Sequence, residues 1–115
     1  MLTPWGVRTL SEQAYYYNPF MYHCGAVWPF DNAVIAVGLQ RYGFNPEARH
    51  IAHTILQAFL AIDDPVELYV VLPSSWIRSP RIEQAWALVD YFYASGVQAW
   101  TAAAILYLAS LLLYG

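Results

Sequence analysis

Residues 31–42 and 99–114 read as helices that are apolar on nearly every side, and a helix of that kind has to be covered all round. The chain does not carry enough of its own material for that. At 115 residues it is one domain at most, and with 59% hydrophobic and 11% charged residues it is more apolar than the roughly 45–50% and about 25% of an ordinary globular domain. Something beyond this chain is therefore expected to cover part of it. A bilayer is the poorer candidate: the run 99–114 falls short of the roughly 20 residues that cross a hydrocarbon core, is interrupted by Thr101, Tyr107 and Ser110, and has no flanking Lys or Arg. An inner helix of a larger soluble domain is the better expectation. The opening MLTPWGVRTL has no basic segment followed by an apolar core, so no signal peptide is read there and a cytoplasmic location is expected.

A net charge of −3, with five scattered Lys and Arg, gives no basic stripe for a phosphate backbone, so nucleic acid is not an expected partner. Cys24 stands alone, which excludes a disulfide framework. Residues 1–30, punctuated by Pro4, Gly6, Pro19, Gly25 and Pro29, lack a helical period and read as extended or irregular chain. A first helix is expected from Asp31 to Tyr42, with Gly43 as its left-handed C-cap. Asn45-Pro46-Glu47 then restarts the helix, Asn as cap and Pro at the first helical position, in an amphipathic run from Pro46 to about Ala61. These two helices should form a hairpin. Val66–Leu72 is β-prone but too short to found a sheet, residues 74–80 read as loop, and Ile82–Tyr93 is open between helix and irregular chain. The last helix is expected from Ala99 to Tyr114.

The segment YHCGAVWPFDN, Tyr22 to Asn32, collects the partners that a pyranose ring demands. Its C–H faces pack on aromatic rings, and its hydroxyls bond to carboxylates, amides and imidazoles; Tyr22, His23, Trp28, Asp31 and Asn32 supply both kinds. Trp28 could equally be a core anchor and Asp31 a helix N-cap. Glu67 is a lone carboxylate among apolar neighbours in PVELYVVLP. Burying it without partners costs several kcal/mol, so it pairs, faces solvent or is held for proton chemistry. His50 and His53 share a helix face at a spacing that can chelate a metal, but no third ligand is near in sequence and a solvated surface is expected. Glu12 with Gln13 and Asp63 with Asp64 read as loop polarity. Ser74-Ser75 lacks the Gly-x-Ser-x-Gly setting of a nucleophile, and no glycine-rich phosphate loop is present, so neither cofactor nor metal is expected.

The order YNPFMYHCGAVWPFDNAVIAVGLQRYGF, PEARHIAHTIL, ELYVVLP and YASGVQAW resembles the C-terminal end of the amylo-α-1,6-glucosidase domain of glycogen debranching enzymes, within the six-hairpin, (α/α)6-barrel glycoside hydrolases. The resemblance spans residues 5–112, so residues 1–115 are expected to be the C-terminal segment of such a domain. It implies an all-α partial barrel of three to four helices and inverting hydrolysis of α-glucosidic bonds in an α-glucan or oligosaccharide. One carboxylic acid then protonates the leaving oxygen while a second carboxylate activates water on the opposite face, the two standing about 6.5–9.5 Å apart. By the family pattern Glu67 is the general base; His23, Trp28, Asp31 and Asn32 match the glucose pocket; Gln98 and Trp100 match the closing helix. The general acid lies upstream of every matched block. A barrel of six hairpins cannot close on so few helices, so the preceding part of the barrel is the expected partner. A non-catalytic, glucan-binding remnant is the alternative. Two departures bear on specificity: Phe30 stands where many relatives have His, and residues 73–92 fit only loosely.

Overall fold

A computed structural model describes residues 1–77 and 85–115. It begins with a small antiparallel hairpin of β1 (Leu2–Thr3) and β2 (Gly6–Val7), in register Leu2 with Val7 and Thr3 with Gly6. Thr3 closes the hairpin, its Oγ1 accepting from Trp5 N at 3.1 Å and donating to Gly6 O at 2.7 Å. Only glycine fits at position 6. Its φ is +122°, and a Cβ there would stand 2.7 Å from Ile55 Cδ1 and 2.8 Å from Val27 Cγ1.

Residues 8–28 are turns and irregular chain, as their punctuation predicts, and they are tied in at Val27. Its N–H and C=O both bond to Tyr69, at 2.9 Å each. Helix α1 (Pro29–Arg41) starts two residues before the predicted Asp31 because Pro29 suits the first helical position. Trp28 is therefore the N-cap residue, and Asp31 lies in the first turn without capping by its side chain. Gly43, with φ +85°, follows the helix end. Helix α2 (Asn45–Ile62) likewise includes Asn45, its N-cap being Phe44, and it ends on Asp63 in the left-handed region, whose N–H returns to Phe59 O at 2.7 Å.

Next comes β3 (Tyr69–Pro73), which continues into a single 3₁₀ turn at Ser74–Trp76 and pairs antiparallel with β4 (Trp86–Asp90), Tyr69 opposite Asp90 and Pro73 opposite Trp86. This corrects two expectations. The Val66–Leu72 run does found a sheet, and residues 86–90 are strand, neither helix nor irregular chain. Residues 78–80 of the expected loop and 82–84 of the Ile82–Tyr93 segment lie outside the described residues. Helix α3 spans Ala99–Tyr114, as predicted. The described residues are thus helix-rich but mixed, with three α-helices and two two-stranded sheets, so the all-α expectation is corrected.

The three helices pack on one another through small residues, Ala33 and Ala36 of α1, Ala48, Ala52 and Ala58 of α2, and Ala104 of α3, with Ile51, Ile55 and Leu108 filling the space between. Burying Leu108 completely contributes about 1.5–3 kcal/mol. Only one side of α1 and α3 is covered. Val34 on α1 is 56% exposed and Leu106 on α3 is 73% exposed, so the all-round apolar pattern is not matched by all-round burial among the described residues. No described helix is long and apolar enough to cross a membrane.

Candidate active site

Glu67 stands two residues before β3 and is 9% exposed. Its backbone N–H donates to Ser95 O at 3.0 Å, and the Ser95 N–H returns to Glu67 Oε2 at 3.2 Å. Oε1 accepts from the hydroxyl of Tyr22. The carboxylate is thus satisfied by two donors from two remote loops, which resolves how an acid survives in PVELYVVLP.

The loop that delivers Tyr22 is closed on itself. Asn18 N donates to Cys24 O at 2.8 Å, Gly25 N to Thr9 Oγ1 at 3.0 Å, and Trp28 Nε1 to Tyr22 O at 2.8 Å. Gly25 permits this closure, since a Cβ there would meet Asn18 O at 2.6 Å. The rings then form a connected wall. His23 stacks on Trp28 at 5.6 Å and 10°, Trp28 meets Trp100 edge-on at 6.4 Å, and Trp100 stacks on Phe30 at 5.0 Å and 21°. Tyr22 sits edge-on to both His23 and Trp28.

Between this wall and the carboxylates of Asp31 and Glu67 lies a cleft of about 330 Å³, near the lower end of the roughly 300–1,000 Å³ usual for small-molecule sites. Six of the eight expected site residues come together there: Tyr22, His23, Trp28, Asp31, Glu67 and Trp100. Two do not. Asn32 is fully buried, its Oδ1 accepting from Val7 N at 2.8 Å and its Nδ2 donating to Val7 O and Trp28 O, so its amide is committed to joining the N-terminal hairpin to α1 and is corrected from sugar ligand to structural anchor. Gln98 is the N-cap residue of α3, its backbone N–H on Pro65 O at 2.9 Å, and it does not line the cleft.

Phe30, read from sequence only as a departure from the family pattern, is part of the wall. Tyr91 also meets Tyr22, at 5.8 Å, from a segment whose secondary structure was open in the sequence. A larger groove of about 530 Å³ lies elsewhere, lined mainly by apolar side chains together with Glu47 and His50. Size alone would favour it, but the smaller cleft holds the convergent carboxylates and rings. Among the described residues no group of three or more His, Cys, Asp and Glu is placed to hold a metal ion.

The electrostatics separate the cleft's titratable groups. Desolvation holds the Asp31 carboxyl above its ordinary range, with His23 acting in the opposite sense. The hydrogen bond to Glu67, ahead of burial, pushes the Tyr22 phenol up to about 12. Because Asp31 is harder to ionise in the folded chain, the folded state binds its proton more tightly than the unfolded state, and its contribution to stability is lost as pH rises through the carboxylate range. Asp31→Asn removes that loss. In thermal unfolding the variant should gain on the wild type as pH rises above the ordinary value of 3.8, and the gap should close below it.

The model of the mannosylglycerate hydrolase MGH1-like glycoside hydrolase domain matches residues 1–68. The chain belongs to that family. The matched part of this glycoside hydrolase contains Tyr22, His23, Trp28, Asp31 and Glu67, and so covers the carboxylate and most of the ring wall, while Trp100 lies beyond it. Comparison with curated proteins gives no match. The family establishes a glycoside hydrolase domain and a carbohydrate substrate.

Proposed function

We propose that this glycoside hydrolase region takes part in inverting hydrolysis of an α-glycosidic bond, with Glu67 as general base. The observation that carries the reading is a carboxylate held by two hydrogen bonds and opening on a ring-walled cleft within the family-matched residues. The sugar rests its C–H faces on Trp28 and Trp100, with Asp31 and His23 at its hydroxyls. A water beside Glu67 attacks the anomeric carbon as Glu67 accepts its proton, and the carbon–oxygen bond to the leaving group breaks on the opposite face. The leaving oxygen takes its proton from a carboxylic acid in the part of an (α/α)6 barrel that precedes the blocks described above. Helices α1 and α3 belong to that barrel, and their exposed faces at Val34, Ile35, Leu106 and Leu113 pack on its other helices.

The motif order favours an α-1,6-linked glucoside as the substrate, whereas the family match favours the mannoside of glycerate. Both can be offered to the full protein, with the released sugar followed by proton NMR before mutarotation. The β anomer should appear first, from whichever substrate is cleaved. Release of the α anomer first overturns inversion. Binding of the glucoside without release of sugar supports instead a non-catalytic glucan-binding protein.

A further inference from the structure

Sequence reasoning places Tyr22 among the groups that hold sugar, but its hydroxyl is directed at the carboxylate instead. We infer that Tyr22 is a positioning residue, which fixes the plane of the Glu67 carboxylate so that one defined lone pair faces the attacking water. The inference rests on the reading of Glu67 as general base.

The terminal torsion of a glutamate is broad, so an unrestrained carboxylate samples many orientations. Here the two oxygens are held by donors from different parts of the chain, Oε1 by the Tyr22 hydroxyl and Oε2 by Ser95 N, and two such bonds define the carboxylate plane. An ionised carboxylate has about four lone-pair sites, so roughly one on each oxygen stays open for water. Tyr22 can impose this orientation because it is itself immobilised. Trp28 stands edge-on at 4.5 Å and His23 at 4.8 Å, Tyr91 leans on it at 5.8 Å, and its carbonyl accepts from Trp28 Nε1. The ring wall that receives the sugar therefore also braces the tyrosine that holds the base. With its phenol at about 12, Tyr22 keeps its proton and stays a donor throughout the range in which a carboxylate can act as base.

The test compares Tyr22→Phe, Glu67→Gln and the double variant in the full protein, on the α-1,6-glucoside or mannosylglycerate, whichever the wild type cleaves. Tyr22→Phe should lower kcat about 10–100-fold, the scale of a misplaced catalytic group, with KM changed less than about threefold. In the Glu67→Gln background it should lower kcat no further, because there is no base left to orient. A raised KM at unchanged kcat would return Tyr22 to the sugar ligands and overturn the inference. So would an equal loss of kcat in both backgrounds, the mark of a merely structural role. Near-normal turnover of Glu67→Gln would instead overturn the base assignment itself, which keeps the two failures apart. A second measurement does not depend on activity or on the folding of Tyr22→Phe: the ring-carbon NMR titration of Tyr22 should move from about 12 toward 10 in Glu67→Gln. An unmoved titration would show that the hydroxyl and carboxylate do not meet, and would overturn the inference alone.

Discussion

Glu67→Gln should lower turnover by about 10²–10⁴-fold while leaving substrate affinity and melting temperature close to those of the wild type. The substitution is nearly isosteric, and the surrounding hydrogen bonds can accommodate it. The amide oxygen accepts from Ser95 N, and the amide nitrogen donates to the Tyr22 hydroxyl, which can accept as well as donate. What is lost is the ability to take a proton from water. Turnover and binding therefore separate, and that separation distinguishes a base from a residue that merely supports the cleft. Glu67→Ala is the harsher change, because it leaves both the Tyr22 hydroxyl and Ser95 N without their acceptor. It should cost stability as well as rate, so it is the poorer test. Turnover of Glu67→Gln within a fewfold of wild type, measured as initial release of sugar, would sink the assignment.

The elements legible in the sequence are those whose signals are local. Helix α3 is found end to end because Gly96 precedes its long apolar run, and the break between α1 and α2 is announced by Gly43 and Pro46. The errors at helix starts have one cause. Asp31 and Asn45 are good capping residues, yet each lies inside its helix, where Pro29 and Pro46 occupy first-turn positions and leave the cap to the backbone of Trp28 and Phe44. Strand β3 carries a β-prone run, but whether it pairs depends on β4, whose Trp86–Asp90 segment has no distinctive period.

The site shows the same division. The side chains of the Tyr22–Asp31 bend are neighbours in sequence, and their aromatic and acidic character is visible there. The link from Tyr22 to Glu67 spans 45 residues, and the donor on the other carboxylate oxygen is a backbone N–H that any residue except proline would supply at position 95. Asn32 was misread for a physical reason: an amide beside an acid and a tryptophan has the chemistry of a sugar ligand, and only its burial reveals that both ends of the amide are engaged within the protein.

That misreading leads to the largest expected effect on stability. Asn32→Ala removes the acceptor of Val7 N and the donor to Val7 O and Trp28 O, at a position with no solvent access. Leaving a buried donor or acceptor unmade costs about 1–3 kcal/mol, and the alanine leaves a void beside Gly6 as well. A combined loss of about 3 kcal/mol is expected, seen as a fall in melting temperature of about 10 °C or more. Asn32→Asp sharpens the test. An ionised carboxylate can still accept from Val7 N, but its second oxygen would face the carbonyls of Val7 and Trp28, to which the asparagine donates. Protonation restores a donor there, so this variant should be least stable at neutral pH and recover part of the loss as pH falls through the carboxylate range. A sugar ligand would behave in the opposite way: Asn32→Ala would melt like the wild type and show its defect only as a raised KM. Melting curves of the two variants at neutral and acid pH, recorded without substrate, decide between these outcomes.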